Sequence, residues 1–209
     1  MSSTTAAGPD RRSEPSPRMR AILDAALSVV ATHGLRGLTH RAVDRAAGLP
    51  EGSTSAYLRT RRALQIGLAG HVADRLGTDV DRVLTEIGCL DDGDPAAVQA
   101  LVRLFTGWVE DRDLLVAKVE LTMEAARDPE LAEPIRHDRE RVVGLVAAVV
   151  DDHHHDRPTE RAQTLVAAFD GVLLAALLRE GAERTAFLND ALSLLMPVTG
   201  APGPDPTRR

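Results

Sequence analysis

The side chains best suited to chemistry are gathered in a short stretch: Thr39, His40 and Arg41, then Gly52, Ser53, Ser55 and Tyr57, with Arg61 just beyond. Hydroxyl and guanidinium groups hydrogen-bond to base edges and phosphate oxygens, and a glycine lets the backbone come close. This is the chemistry of recognising duplex DNA, not of making or breaking bonds. Arg41 is the residue best able to read guanine by a two-pronged contact, each such pair discriminating by ~1–3 kcal/mol. Glu51 falls at the start of the second group, where its charge suits a helix N-terminus and opposes phosphate.

Those residues need elements that aim them. Thr39 is a good N-cap, and Ala42, Val43, Ala46 and Ala47 give the two turns after it one small apolar face. Gly48 ends that helix, because it takes a left-handed conformation without a clash. Pro50, at or near the first position of a second helix over 51–58, loses nothing by its missing N–H. Two short helices around one tight turn fit a DNA major groove. Thr60 then caps a further helix with Arg61 and Arg62 in its first turn and Leu64, Leu68 and Val72 as its apolar stripe.

Taken jointly, Gly34, the Thr-led helix, Ala-Gly-Leu at 47–49, Gly-Ser-Thr-Ser-Ala-Tyr at 52–57 and Arg-Thr-Arg-Arg-Ala-Leu at 59–64 resemble the DNA-binding domain of the TetR family of ligand-responsive transcriptional regulators. The resemblance spans residues 18–68; further on it is one of length and helical character. It departs where the family usually has leucine (Thr54), tyrosine (Ser55) and phenylalanine (Leu58), so the base contacts of relatives do not carry over. The resemblance implies that Arg61 grips backbone phosphate, and that the chain acts as a homodimer on an inverted-repeat operator. It also implies release by a small-molecule ligand, of unidentified chemistry, and repression, since the family mostly occludes promoters.

Composition agrees with a regulator. With 209 residues, 44 % of them apolar, the chain can bury the core of one large or two small domains. A single cysteine, Cys89, allows no internal disulfide and no thiolate metal cluster, and predicts a cytoplasmic home. Residues 1–12 lack the apolar core of a secretory signal, and no run reaches the ~18 apolar residues of a membrane span, so neither export nor membrane insertion is expected. The net charge of −6 is unevenly spread: residues 1–65 hold ten arginines against five acids, and the rest holds fifteen basic against twenty-six acidic groups. Phosphate is attracted to the end that carries the helix pair.

Along the chain, residues 1–15 read as a disordered leader, either a plain floppy one or one whose Arg11 and Arg12 act as a basic arm reaching DNA. A helix capped by Ser16 runs to about residue 33, where Gly34 ends it, and completes a DNA-binding domain at 16–62. A ligand-binding and dimerisation domain follows at 63–197, then a fraying tail at 198–209. The helix after Thr60 keeps its period to residue 87 despite Gly77, and Asp94 and Pro95 open the next. Further helical segments fall at 95–109, 113–127, 130–153, 159–179 and 183–196, with Pro134 in the opening turns of its helix. No alternating strand is present, so the predicted fold is all-α with about nine helices.

Two stripes near the C-terminus, Val166, Phe169, Val172, Leu173 and Leu177, then Leu188, Leu192, Leu195 and Met196, would form an isologous four-helix interface or close the monomer core. The family resemblance places a ligand cavity between the fourth and eighth helices, lined by Phe105, Trp108, Glu120, Met123, Glu124 and Phe169. With aromatics at 2 % of the chain, an aliphatic lining suits a lipid-like, lactone or acyl ligand. An enzyme finds little support. His153, His154 and His155 beside Asp151, Asp152 and Asp156 look like metal ligands, but adjacent helical histidines point in different directions. No glycine-flanked serine elbow, phosphate loop or dinucleotide fingerprint occurs, so no catalytic residue, metal or cofactor is assigned. A DNA-binding protein that senses no ligand shares the N-terminal features and is the nearer alternative.

Overall fold

The computed structural model describes residues 15–90, 94–152 and 157–196. Among them lie nine α-helices and no strand: α1 (Pro17–Gly37), α2 (His40–Ala46), α3 (Ser53–Tyr57), α4 (Arg61–Ile87), α5 (Pro95–Glu110), α6 (Arg112–Ala125), α7 (Pro129–Asp152), α8 (Pro158–Ala176) and α9 (Gly181–Leu195). The leader, the tail and the His153–His155 run lie outside the described residues, as do the side chains of Asp151 and Asp152. No described helix is long and apolar enough to cross a membrane.

The helix starts follow from local chemistry. Ser16, Thr39, Thr60 and Asp94 each accept a backbone N–H of the first turn through a side-chain oxygen, at 3.2, 3.2, 3.0 and 2.8 Å. Gly34, at φ 64 and ψ 177, breaks α1 and leaves residues 35–37 as one detached turn. α3 is shorter than its sequence pattern predicts. Gly52 sits at φ 91, outside helical space, so the helix begins at Ser53 and Pro50 serves the preceding turn, its carbonyl accepting from Ser53 N at 3.1 Å. By contrast α4 runs unbroken through Gly77. A Cβ there would stand 1.9 Å from Arg141 Nη2, so this glycine makes room for α7 and does not end a helix. Pro134 likewise lies inside α7.

Ile22, Val30, Leu38, Val43, Leu64 and Leu68 fill the N-terminal head, and Leu114, Leu115, Leu121, Leu131, Leu188 and Leu192 fill the body. One continuous apolar core joins them, with α4 belonging to both. The two C-terminal stripes are largely interior: Val166, Leu173, Leu177, Leu188 and Leu192 are buried within the single chain, and Phe169, Val172, Leu195 and Met196 are half-buried. The apolar side chains that α8 and α9 turn to solvent are others, namely Leu174, Leu178 (82 % exposed) and Leu194.

Candidate nucleic-acid interface and its links to the body

Five residues are too few to hold a helix in water, so α3 depends on its neighbours. Thr54 is its one buried residue. Asp44 of α2, only 1 % exposed, accepts from Gly52 N and Thr54 N at 2.8 Å each and from the Thr54 hydroxyl at 2.6 Å. Burial pushes its carboxyl pKa upward, but these three bonds and the nearby His40 outweigh it and leave the pKa below the ordinary aspartate value. One turn earlier on α2, His40 Nε2 donates to the Leu58 carbonyl at the far end of α3, at 2.6 Å. His40, expected among the base contacts, is thus directed at the backbone of its own domain.

The remaining residues expected to contact DNA are accessible or half-buried. Tyr57 is exposed and Ser53 and Ser55 are half-buried, with Ser55 Oγ donating to the Gly52 carbonyl at 2.9 Å. Thr39 spends its hydroxyl as a cap. Arg41 stands out into solvent and meets Glu51 at 3.8 Å, with both side chains more than three-quarters exposed. A pair so open is worth at most about 1 kcal/mol, so Arg41 is free to exchange Glu51 for another acceptor. Arg36, Arg45 and Arg59 are exposed in the same head.

Arg61 has a partner that its sequence position did not suggest. Its Nη2 donates to the Leu35 carbonyl at 2.6 Å, and the N–H of that same residue donates to Glu120 Oε2 on α6 at 3.3 Å. The detached turn after Gly34 is pinned from α4 and from α6 together. Arg62 makes a second link, pairing with Asp128 and, at 3.3 Å, with Glu130 at the α6–α7 corner. The Arg62 guanidinium beside it, with hydrogen bonds from the Leu131 and Glu130 amides, holds the Asp128 carboxyl below its ordinary pKa against partial burial. On the other side of the head, buried His71 of α4 meets Asp24 of α1 at 2.7 Å.

In the body, Phe105 stacks on Trp108 at a centroid distance of 5.7 Å and meets Phe169 edge-on at 5.4 Å, so three of the expected lining residues do come together. The other three are turned elsewhere. The buried face of α6 carries Leu114, Leu115, Ala117, Leu121 and Ala125. At 100° per residue Met123 falls opposite that face and is 54 % exposed, Glu120 reaches α1, and Glu124 pairs with Arg127. Trp108 also borders a cleft of about 420 Å³ between α4, α5 and the start of α6. Its lining mixes aliphatic Val83, Ala100, Leu104 and Leu114 with ion pairs: Arg75 pairs with Asp111 (2.5 Å), Arg82 with Asp79 (2.8 Å) and Arg103 with Glu86 (2.5 Å), while the Trp108 indole donates to Asp79 at 3.0 Å.

Asp44 and Asp128 were not among the residues singled out in the sequence, and Arg62 was placed in a first turn without a partner. Thr54 was the available signal for the first: a hydroxyl where relatives carry leucine requires a polar partner once it is buried.

Comparison with known proteins agrees with this architecture. Residues 92–198, half of the chain, match the family described as the tetracyclin repressor-like C-terminal domain. A TetR-family member from Streptomyces coelicolor A3 superposes with a TM-score of 0.66 at 30 % identity, covering 87 % of this chain and 99 % of that one. The multidrug binding protein EbrR, in complex with malachite green, gives a TM-score of 0.63 at 26 % identity over 88 % of this chain and 99 % of its own. A TetR-family structure from Mesorhizobium loti MAFF303099 shares the fold at a TM-score of 0.72 with 17 % identity, covering 87 % and 96 % of the two chains. No protein of curated function matches. The chain belongs to the TetR family of transcriptional regulators.

Proposed function

We propose that the protein is a sequence-specific repressor that binds an inverted-repeat operator as a homodimer and leaves it when a small molecule occupies the body. The observation that carries this reading is the head itself: a helix-turn-helix whose exposed side chains include several arginines and hydroxyls, in a chain whose other residues are net acidic. Ser53, Ser55, Tyr57 and Arg41 address base edges, and Arg36, Arg45 and Arg59 join Thr39 at the phosphates. Arg61 reaches phosphate by releasing the Leu35 carbonyl.

Dimerisation uses the outer face of α8. Ala167, Gly171, Leu174 and Leu178 are exposed at helical spacing, with Leu194 of α9 exposed as well. Small residues next to leucines let a symmetry-related helix approach closely. The effector enters beside Trp108 and combines polar or charged groups that replace the ion pairs of the cleft with an apolar part that meets Val83, Leu104 and Leu114. The binding of malachite green by EbrR supports a sensing body in this chain. An effector that prefers one spacing of the two heads weakens DNA binding by its preference ratio. α4, with Arg61 and Arg62 at its start, conveys that preference, and Glu120 adds a path through α6.

Selection of duplexes from a random pool by the full-length protein tests the reading. The expected product is an inverted repeat with half-sites one or two helical turns apart, bound by a dimer. A strictly monomeric protein, or one that enriches no sequence at low salt, sinks it.

A further inference from the structure

We propose that Asp44 and His40 are the positioning residues of the DNA reader, and that they set its power to tell sequences apart while leaving its general attraction to DNA alone. The proposal rests on the reading of α3 as the recognition helix.

Apolar burial holds most helices, but it holds them without direction. α3 departs from that pattern: its one buried residue is Thr54, and Thr54 is polar. Leu58, at the end of α3, packs against the core, and what aims the helix is a set of directional bonds from a single face of α2. Asp44 takes three donors at the start of α3, at 2.6 to 2.8 Å, and His40, four residues earlier, donates to the carbonyl at its end. A short helix tied at both ends has its rotation and axial position fixed, which decides where Ser53, Ser55 and Tyr57 point. Sequence reading needs that aim, because a bidentate or hydroxyl contact to a base edge fails with small misplacement. Phosphate attraction does not need it, since it comes from arginines on α1, α2 and the α3–α4 link.

The experiment compares the full-length protein with Thr54→Val, Thr54→Ser and Asp44→Asn. Two probes are used: the duplex that the wild type enriches from a random pool, and a scrambled duplex of equal length. Thr54→Val keeps the shape of the side chain and deletes the hydroxyl bond to Asp44. It is expected to lower the ratio of the two affinities about tenfold, while the scrambled affinity and its salt slope stay within about twofold. Thr54→Ser restores the hydroxyl and is expected to keep the ratio.

Three results overturn the proposal: an unchanged ratio in Thr54→Val, an equal fall in both affinities, or a Thr54→Ser variant as impaired as Thr54→Val. Amide hydrogen exchange at Gly52 and Thr54 reads the clamp without DNA. Acceleration at these two amides in Asp44→Asn, with the rest of the head unaffected, supports it; unaltered exchange rejects it. Should the wild type enrich no duplex, the DNA reading itself fails, and the exchange result still decides whether the clamp exists.

Discussion

At the scale of single residues, position 54 carries a polar lock in place of an apolar contact, and the exchange is testable as a double-mutant cycle. Thr54→Leu alone installs the residue usual in relatives but strands Asp44 as a buried carboxylate without its hydroxyl partner. It is expected to destabilise the head by about 3 kcal/mol. Asp44→Ala combined with Thr54→Leu should recover most of that loss in urea unfolding, the coupling being the diagnostic quantity. The lock also has a pH signature. The folded pKa of Asp44 lies below its unfolded value, so its contribution is complete above the ordinary aspartate range and fades as pH falls through the depressed folded pKa. Acid unfolding of the Asp44→Ala, Thr54→Leu chain should accordingly lack that component. Glu51 poses the opposite case, being exposed and only loosely paired with Arg41. Glu51→Gln should leave thermal stability unchanged and strengthen binding to any duplex by about twofold to fivefold at low salt, read by fluorescence anisotropy.

At the scale of elements, two glycines that look alike in sequence serve different ends. Gly34 holds φ 64 with ψ 177, which side chains scarcely adopt, and Glu120 stands 3.4 Å from where its Cβ would be. Gly34→Ala should cost about 1–3 kcal/mol and loosen the Leu35 peptide from both Arg61 and Glu120. Gly77 is helical, and its only obstacle is the far end of the Arg141 side chain, already divided between Asp81 at 3.6 Å and Asp138 at 3.3 Å. Here the gain in helix propensity, about 1 kcal/mol, offsets the displaced surface pairs. Gly77→Ala should melt within a few degrees of the wild type, whereas Gly34→Ala should not.

At the scale of the whole molecule, the C-terminal helices carry apolar side chains on two faces, and burial separates their tasks. Leu188 and Leu192 complete the core, so their truncation lowers stability. Leu174 and Leu178 contribute little inside one chain, and under the dimer reading they are central to the partner contact. Leu174→Glu with Leu178→Glu should yield a folded monomer by sedimentation and circular dichroism, with operator affinity lost because two half-sites no longer act together. A folded dimer from that variant would place the interface elsewhere.

Local signals were legible because their physics is local. Ser16, Thr39, Thr60 and Asp94 announce helix starts through bonds to amides two or three residues away, and Gly34 and Gly48 announce stops. Helical period then gives the all-α class. The contacts between elements were not legible, because a helix stripe shows that a face is buried and not against what. So the stripes on α8 and α9 could not declare themselves core, Glu120 could not be seen to reach Leu35, and Asp44 could not be paired with Thr54. Chain-neighbour chemistry thus determined the helices and the family pattern of the head. Only the folded arrangement, which brings distant residues within hydrogen-bond reach, decided which polar groups hold α3 and which join the head to the body.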